Sequence, residues 1–290
     1  MIIARLMGGL GNQMFQYAAA RKIALANNAS LKLDISDYQK DELRQFRLDN
    51  FNIKADVASA TDLKYFYRYR GLRPQAFILN FFQSIKPSEK QVYIKENGNG
   101  YNEKTKKLSS NVYLEGYWQS EKYFEDIERS IRQEFTLKKP FDVKLKKIIE
   151  KIEQGRAVAI HIRRGDYLSV KLSKVFETCS SEYYAKAIKQ ICVRISNPHF
   201  FIFSDDINWA KKNLPSDISS EFISQNNTED FEDLILMSKC QHNIIANSSF
   251  SWWGAWLNQN PDKIIIAPQK RFKDDSKNSN DYYPTSWITI

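Results

Sequence analysis

Four short apolar segments recur through the second half of the chain, separated by stretches with the periodicity of helices. These segments are 157–162, 200–203, 243–246 and 264–267. Strands that alternate with helices pair in parallel, because a parallel connection must cross the sheet through a helix-sized segment. The pattern therefore predicts an α/β fold built on a parallel sheet.

The first forty residues show the same alternation. An apolar segment at 1–6 is interrupted by glycines, a helix is predicted over 12–27, and a second strand over 31–35. A chain of 290 residues is long enough for two domains, and Pro140 marks a candidate linker. We therefore predict one α/β domain over 1–140 and a second over 141–290.

The net charge limits the classes of partner. The chain carries 43 Lys and Arg against 34 Asp and Glu, a net charge of +9, which implies an anionic partner such as a phosphate, a nucleic acid or a lipid surface. Three cysteines are too few for a disulfide framework, and three histidines lack the spacing of metal ligands. The apolar run at 1–7 is too short for a signal peptide or a transmembrane span. We expect a cytoplasmic protein without a metal.

Polar clusters follow three of the predicted strands, at 161–167, 204–206 and 247–251. Ligands of open α/β sheets bind at the carboxyl ends of the strands, so these clusters hold the candidate binding residues. Arg163 and Arg164 could grip a phosphate, because a planar guanidinium forms two parallel hydrogen bonds to it. The alternative is a surface arginine pair that is bridged to carboxylates.

Three serines lie where a helix is expected to begin. Ser248, Ser249 and Ser251 could receive a phosphate at the positive end of the helix dipole. They could equally act only as helix caps. The segment favours a phosphate site only in combination with the arginine pair.

Three aspartates could recognise a base. Asp205, Asp206 and Asp233 could each accept from the N1–H and the amino group of guanine, a pair of donors that adenine lacks. Asp205 and Asp206 are also suited to begin a helix, and we expect at least one of them to be a cap.

A glycine-rich loop at 8–13 lies between the first predicted strand and the first predicted helix. It has neither the spacing of a dinucleotide fingerprint nor the ending of a kinase phosphate loop. Its glycines either let a ligand approach the backbone or form a tight turn. The aromatic residues at 65–87 and 113–124 are expected to lie mostly in the core.

Five motifs, in this order along the chain, resemble those of α-1,2-fucosyltransferases. Their conjunction is far more specific than any one of them, and the likeness covers nearly the whole chain. The motifs are GGLGNQMFQYA at 8–18, GYWQSE at 116–121, HIRRGDY at 161–167, FSDD at 203–206 and NSSFSWWGAW at 247–256.

The resemblance implies a GT-B fold, in which two Rossmann-like α/β domains face each other across a cleft, and no metal cofactor. It implies that the domain 141–290 binds GDP-fucose and that the domain 1–140 lies on the acceptor side. By the same likeness, Arg163 contacts the β-phosphate, Asp233 faces guanine, and Asn12 approaches the donor. The predicted GDP-fucose site consists of Gly9, Gly11, Asn12, His161, Arg163, Arg164, Asp205, Asp206, Asp233, Ser249, Phe250 and Ser251.

The reaction implied by the resemblance is inverting transfer. An acceptor hydroxyl attacks the anomeric carbon of GDP-β-L-fucose, and Arg163 stabilises the negative charge on the departing GDP. Asp166 is the candidate general base, or else it orients Arg163 or Arg164. The expected acceptor is a galactose-containing oligosaccharide, free or lipid-linked, in the synthesis of bacterial O-antigen. Peripheral contact with the inner membrane and the oligomeric state stay open.

Two other functional classes fit parts of the sequence. A nucleic-acid-binding protein would explain the charge of +9 and would use some of the 15 Tyr and 18 Phe to stack on bases. Its basic residues are dispersed, however, and no RNA-binding signature is present, so no nucleic-acid partner is expected. A glycoside hydrolase would use paired carboxylates and bind no nucleotide.

Overall fold

The computed structural model describes residues 1–41, 43–71, 74–98, 100–168, 173–223, 228–277 and 280–290, with the main chain alone at 166 and 277. These residues fold into two units. The first contains Met1–Lys138 and a later segment that includes Asp281 and Tyr282. The second contains the chain between them, from Lys139, and the final stretch Tyr283–Ile290.

A parallel sheet forms the centre of the first unit. Its strands are β1 (Ile2–Arg5), β2 (Leu31–Asp34), β3 (Asp56–Val57), β4 (Tyr93–Lys95) and β5 (Val112–Glu115). They are ordered β3-β2-β1-β5-β4, and every pair is parallel. The described α-helices of this unit are α1 (Leu10–Ala26), α2 (Ala60–Lys64), α3 (Pro74–Ser84) and α4 (Glu128–Glu134).

Helix α1 buries most of its surface. Met14, Phe15 and Tyr17 are fully buried, and the alanines at 18–20 are buried beside them. Burying each large apolar side chain stabilises the fold by about 1.5–3 kcal/mol. Because a helix that is apolar on most sides belongs in a core, α1 fixes the position of the glycine-rich segment 8–13, which is helical from Leu10 onward.

A second parallel sheet forms the centre of the second unit. Its strands are β6 (Ala157–Ile162), β7 (His199–Ser204), β8 (Ser220–Phe222), β9 (His242–Ile244), β10 (Ile265–Ala267) and β11 (Ile288–Thr289). They are ordered β11-β10-β9-β6-β7-β8, again with parallel pairs. The described α-helices of this unit are α5 (Val143–Gln154), α6 (Ser181–Arg194), α7 (Ile207–Asn213), α8 (Asp230–Lys239) and α9 (Ser249–Trp256).

Each sheet has a point at which the chain reverses its direction of travel across the strands. In the second unit the chain runs from β6 outward to β7 and β8 and then returns to β9 on the other side of β6. In the first unit the corresponding point lies between β1 and β5. Loops that leave neighbouring strands in opposite directions open a crevice there, and ligands of open α/β sheets bind in it.

Both units confirm the predicted α/β class with parallel, Rossmann-like sheets. The predicted linker at Pro140 lies beside the change of unit after Lys138. The return of Asp281 to the first unit was not predicted. Its carboxylate accepts from the main-chain nitrogen of Tyr101 at 3.0 Å and pairs with Lys122 at 2.5 Å, and contacts over such sequence separations leave no local pattern.

Candidate functional site

Arg163 and Arg164 leave the carboxyl end of β6 and are held by an aspartate from the end of β7. Nη1 of Arg163 lies 3.0 Å from Oδ2 of Asp205, and the main-chain nitrogen of Arg164 donates to Oδ1 of the same carboxylate at 2.8 Å. Both oxygens of Asp205 are therefore used to fix the turn that carries the arginine pair.

Arg164 is oriented by two groups on α7. Its guanidinium lies over the ring of Trp209, 4.3 Å from the centroid, and its Nε is 3.4 Å from Oδ2 of Asp206. Asp206 also caps α7, since its Oδ1 accepts from the main-chain nitrogen of Trp209 at 3.0 Å. The arginine pair is thus bridged to carboxylates, which is the alternative to a phosphate grip given above. Asp206 is a helix cap, as expected for at least one of the two aspartates. A guanine contact for Asp205 or Asp206 stays a prediction.

His161 is a buried, neutral histidine beside the arginines. Burial, with a smaller contribution from the charge of Arg163, lowers the pKa of His161 to about 3. Its Nδ1 has no hydrogen-bond partner within the described part of the chain. The ring lies 5.3 Å from that of Phe250, between ring centroids. This contact joins the end of β6 to the first turn of α9, across the point where the strand order reverses.

The three serines after β9 differ in their contacts and in their burial. Ser248 caps α9, because its hydroxyl accepts from the main-chain nitrogen of Phe250 at 3.3 Å. Ser251 is fully buried, and its hydroxyl donates to the main-chain oxygens of Ala246 and Ser248 at 3.3 Å. Ser249 and Phe250, the first two residues of α9, are half-buried.

Asn247 lies between β9 and α9 and was missed as a separate candidate. Its side-chain nitrogen donates to the main-chain oxygens of Glu177 and, at 3.0 Å, Arg271. Its Oδ1 is buried without a hydrogen-bond partner among the described residues. The one feature of the sequence that could have identified Asn247 is its position directly before the serines.

Two further predicted residues of this unit lie outside these contacts. Asp233 is in the first turn of α8, where its Oδ1 accepts from the hydroxyl of Thr228 at 2.5 Å. Asp166 begins the short 3₁₀-helix Asp166–Leu168, and its side chain lies outside the described residues. The role of Asp233 as a guanine contact and the role of Asp166 as a general base stay predictions.

In the first unit, the glycine-rich loop and the second motif meet between β1 and β5. The side-chain nitrogen of Gln119 donates to Oδ1 of Asn12 at 2.8 Å. Gln16 donates to the main-chain oxygen of Gly116 at 3.1 Å and accepts from the main-chain nitrogen of Met7 at 2.9 Å. Gly9 caps α1 without a side chain, and Gly11 lies in the first turn of that helix. Two motifs far apart in sequence thus form one structure.

Glu96, which the sequence analysis missed, holds the second motif in place. Its carboxylate accepts from the main-chain nitrogens of Tyr117 at 2.6 Å and Trp118 at 3.0 Å. Burial raises the pKa of Glu96, and these two hydrogen bonds oppose the rise. Trp118 is buried with φ of +55°, a conformation that costs energy in a residue other than glycine and concentrates at functional sites.

Gly116 is required by this close approach. A Cβ added there would lie 2.4 Å from Cβ of Glu96, so any larger residue would separate the two loops. The glycine of the motif therefore has a packing reason, although nothing in the local sequence identified Glu96 as the partner.

Charged residues end four strands of the first sheet. They are Arg5, Asp34, Lys95 and Glu115. Arg5 pairs with Glu115 at 2.9 Å, and the fully buried Asp34 pairs with Arg70 at 2.8 Å and accepts from the hydroxyl of Tyr113 at 2.6 Å. No motif in the sequence singles out these residues, since they are paired by the topology of the sheet.

Neither a metal cluster nor a membrane span is found within the described ranges. No group of three or more His, Cys, Asp or Glu side chains there is arranged to hold a metal ion. None of the helices in those ranges has both the length and the apolar character needed to cross a bilayer.

The chain is similar in sequence to known glycosyltransferases. A sequence model described as Glycosyl transferase family 11 matches residues 77–290. An α-1,2-colitosyltransferase of Escherichia coli is 38% identical, over 100% of this chain and 98% of its own. The O-antigen biosynthesis glycosyltransferase WbnK of Escherichia coli is 32% identical, over 98% and 99%. Galactoside α-(1,2)-fucosyltransferase 1 of Leontocebus fuscicollis is 27% identical, over 61% of this chain and 52% of its own.

Among solved structures, the α-1,6-fucosyltransferase NodZ of Bradyrhizobium, from a crystal soaked with GDP-fucose, has the same fold. The TM-score is 0.51 at 12% sequence identity, and the match covers 88% of this chain and 91% of NodZ. A likeness at this identity shows the fold alone. It confirms the predicted GT-B class.

Proposed function

The chain belongs to glycosyl transferase family 11, and on that premise we propose that it transfers L-fucose from GDP-β-L-fucose. The acceptor is a galactose-type hydroxyl, the linkage formed is α-1,2, and the anomeric carbon is inverted. The similarity to WbnK supports an acceptor in bacterial O-antigen. The similarity to the galactoside α-(1,2)-fucosyltransferase supports fucose as the transferred sugar, a galactoside as the acceptor and an α-1,2 linkage.

One observation carries this proposal: a fixed arginine pair stands beside a buried histidine where the strand order of the second sheet reverses. Arg163 is held by Asp205 at 3.0 Å, and the neutral His161 beside it is buried. Phe250, at the start of α9, contacts His161 from the other side. Fixed positive charge next to a helix start suits a diphosphate, and NodZ, which shares the fold, was soaked with GDP-fucose.

The chemistry then follows from where charge develops. As the bond from the anomeric carbon to GDP breaks, negative charge grows on the β-phosphate, and Arg163 stabilises it. Because Asp205 already holds the guanidinium in position, little reorganisation is needed when the charge appears, which is the condition under which electrostatic stabilisation is largest. His161 contributes no repelling or attracting charge of its own, because burial keeps its imidazole neutral.

The proton of the acceptor hydroxyl must pass to a base as the new bond forms. Asp166 remains our candidate, with orientation of the arginine pair as its alternative role. A pH–rate profile of Asp166→Asn separates the two, since loss of the base removes the acidic limb of the profile. We propose that no metal takes part, so turnover should survive a chelator.

The similarity to the colitosyltransferase favours a second candidate donor sugar. Colitose is fucose without its 3-hydroxyl, so the two donors differ in a single hydrogen-bonding group. Rates with GDP-fucose and GDP-colitose at equal concentration decide between them. A site built to bond that hydroxyl discriminates strongly against the sugar that lacks it.

The test of the proposal is thermal unfolding with GDP, ADP and UDP, combined with turnover of GDP-fucose. We expect GDP alone to raise the unfolding midpoint substantially. Arg163→Lys should lose most of this rise and at least about 100-fold in turnover, because an ammonium cannot form the bidentate grip. Arg194→Lys, an exposed arginine on α6 that bonds Gln190, is the matched control and should behave as the wild type. Near-normal turnover of Arg163→Lys would refute the role of Arg163.

A further inference from the structure

Helix α3 presents most of its large apolar side chains to solvent, although Ala76 and Leu79 face the protein, and two of its polar side chains bond to the protein. Asn80 donates to the main-chain oxygen of Tyr69 at 2.9 Å, and Gln83 accepts from the main-chain nitrogen of Val92 at 3.0 Å. The other side of the helix carries large apolar side chains with exposed fractions of 53% to 78%. These residues, which we call the α3 face, are Phe77, Ile78, Phe81, Phe82 and, just beyond the helix, Ile85.

The α3 face reverses the usual amphipathic arrangement. A surface helix normally buries its apolar stripe and exposes its polar one. Here the five side chains share one side of the helix, since their spacing follows the helical period. A contiguous exposed apolar patch marks a place where another surface binds.

The charge around the α3 face identifies the kind of surface. Five cationic residues and no acidic residue lie between Asp62 and Glu89 in the sequence. They are Lys64, Arg68, Arg70, Arg73 and Lys86. Lys64, Arg68 and Lys86 are exposed, and so are the aromatic side chains of Tyr65 and Tyr67. An exposed apolar helix face whose neighbouring chain segments carry exposed basic residues and tyrosines is the pattern of helices that lie in the headgroup region of a bilayer.

A second copy of this chain is a poorer occupant. A symmetric dimer places the same patch of both copies together. The cations around the α3 face would then oppose one another with no acidic residue of the same segment between them, and such like-charge contacts cost energy. An anionic surface has the complementary charge.

We propose that the α3 face binds an anionic phospholipid membrane surface. The phenylalanines and isoleucines enter the boundary between headgroups and acyl chains, and Lys64, Arg68 and Lys86 lie among the lipid phosphates. Each cation near such a surface adds to the attraction, and added salt weakens it.

The segment that carries the α3 face is anchored to the carboxyl edge of the first sheet. Arg70, four residues before Pro74, pairs with Asp34 at 2.8 Å and with Asp37 at 3.0 Å. At the other end of the helix, Gln83 is bonded to the main-chain nitrogen of Val92, just before β4, so contacts at both ends hold the α3 face in place on the first unit. The inference concerns membrane binding and does not depend on which sugar is transferred.

The experiment is co-sedimentation of the full chain with vesicles of phosphatidylglycerol and phosphatidylethanolamine, and with neutral vesicles of phosphatidylcholine. We expect binding to the anionic vesicles, weakened by salt, and little binding to the neutral ones. Phe77→Gln/Phe81→Gln should lower the partition coefficient by about ten-fold or more. The matched control is Val143→Gln/Val193→Gln, which changes residues on helices of the second unit that are 71% and 78% exposed. It should bind as the wild type.

A second pair of variants tests the charges. Lys64→Gln/Lys86→Gln should weaken binding to anionic vesicles by about five-fold for each lysine, whereas Lys186→Gln/Lys189→Gln on α6 should not. Thermal unfolding in the presence of GDP verifies that each variant is folded. Wild-type binding by the phenylalanine variant, or absence of binding by the wild type, would overturn the proposal. So would a dimer in solution that the phenylalanine variant converts to a monomer.

Discussion

At the scale of single residues, burial determines the charge of the candidate site. His161 lies at the end of a fully buried strand, so its imidazole stays neutral far below the pH at which an exposed histidine gains a proton. The positive charge of the site therefore comes from Arg163 and Arg164, whose guanidiniums are held by carboxylates at the end of the neighbouring strand. The imidazole thus adds no positive charge beside the arginine pair near neutral pH.

The same burial predicts how stability depends on pH. The unfolded chain protonates histidine near the ordinary pKa of 6.5, whereas the pKa of folded His161 is about 3. Between these values the unfolded state holds more protons, so the contribution to stability is complete above pH 6.5 and is lost as the pH falls. From pH 7 to pH 5 the loss is about 2 kcal/mol. We expect His161→Asn to flatten this part of the stability–pH curve measured by denaturant unfolding.

His242 has a lowered pKa for the same reason and remains in that variant, so a shallower slope and not a flat line is expected. The variant is also expected to be less stable at pH 7, because the packing of the ring is lost. An unchanged slope would mean that His161 is not protonated on unfolding in this range.

At the scale of elements, the packing of α9 on α8 fixes the position of the serines at the start of α9. A Cβ added to Gly254 would lie 3.0 Å from Cβ of Met237 and 3.5 Å from the main-chain oxygen of Leu234. The two helices therefore approach as closely as they do because position 254 has no side chain. Trp252 and Trp253 are fully buried on the same helix, so α9 cannot shift far without disturbing the core.

Gly254→Ala should destabilise the protein by about 1–3 kcal/mol, because overpacking exceeds the gain in helix propensity. Thermal unfolding with and without GDP measures both the loss and its effect on the serines. In the double variant with Met237→Ala the two losses should be less than additive, since the shorter side chain makes room. Gly155→Ala is the control, because its Cβ would meet only an ordinary contact at 3.5 Å. Equal losses in the two glycine variants would contradict the packing argument.

The elements that could be predicted from the sequence are those whose apolar pattern reflects burial. Strand β6 has the predicted bounds 157–162, because both of its faces are covered and its residues read as one apolar run. Strand β4 has three residues, and α3 turns its apolar side outward, so neither follows the pattern on which such predictions rest. In the same way the arginine pair was found because it directly follows a strand, whereas Glu96 acts on a loop distant in sequence and belongs to no motif.

At the scale of the whole molecule, the chain visits the first unit twice. Asp281 accepts from the main-chain nitrogen of Tyr101 and pairs with Lys122, and Tyr282 packs near Phe15 at 6.3 Å between ring centroids. The first unit is therefore completed only by residues that follow the whole sheet segment 157–267 of the second unit in sequence. The two units share more than the single connection near Lys138.

We expect Asp281→Ala to loosen the first unit locally. Without the carboxylate the amide of Tyr101 loses its acceptor, so hydrogen exchange in the segment 100–108 should accelerate. Exchange in β6 and β7 should stay as in the wild type and serves as the internal reference. Asp217→Ala, at an exposed position in the second unit, removes the same charge and should leave the segment unchanged. Wild-type exchange at 100–108 in Asp281→Ala would show that these contacts do not hold the segment.

Because two separate segments of the chain form the first unit, hybrids of two related proteins of this kind are constrained in where they can be joined. A hybrid spliced once near residue 138 would join Lys122 and Tyr101 of one parent to the residue at 281 of the other. An intact transplant of the first unit needs a second splice on each side of the short returning segment. Point substitution within one parent is therefore a simpler route to an altered first unit than the exchange of a whole gene fragment.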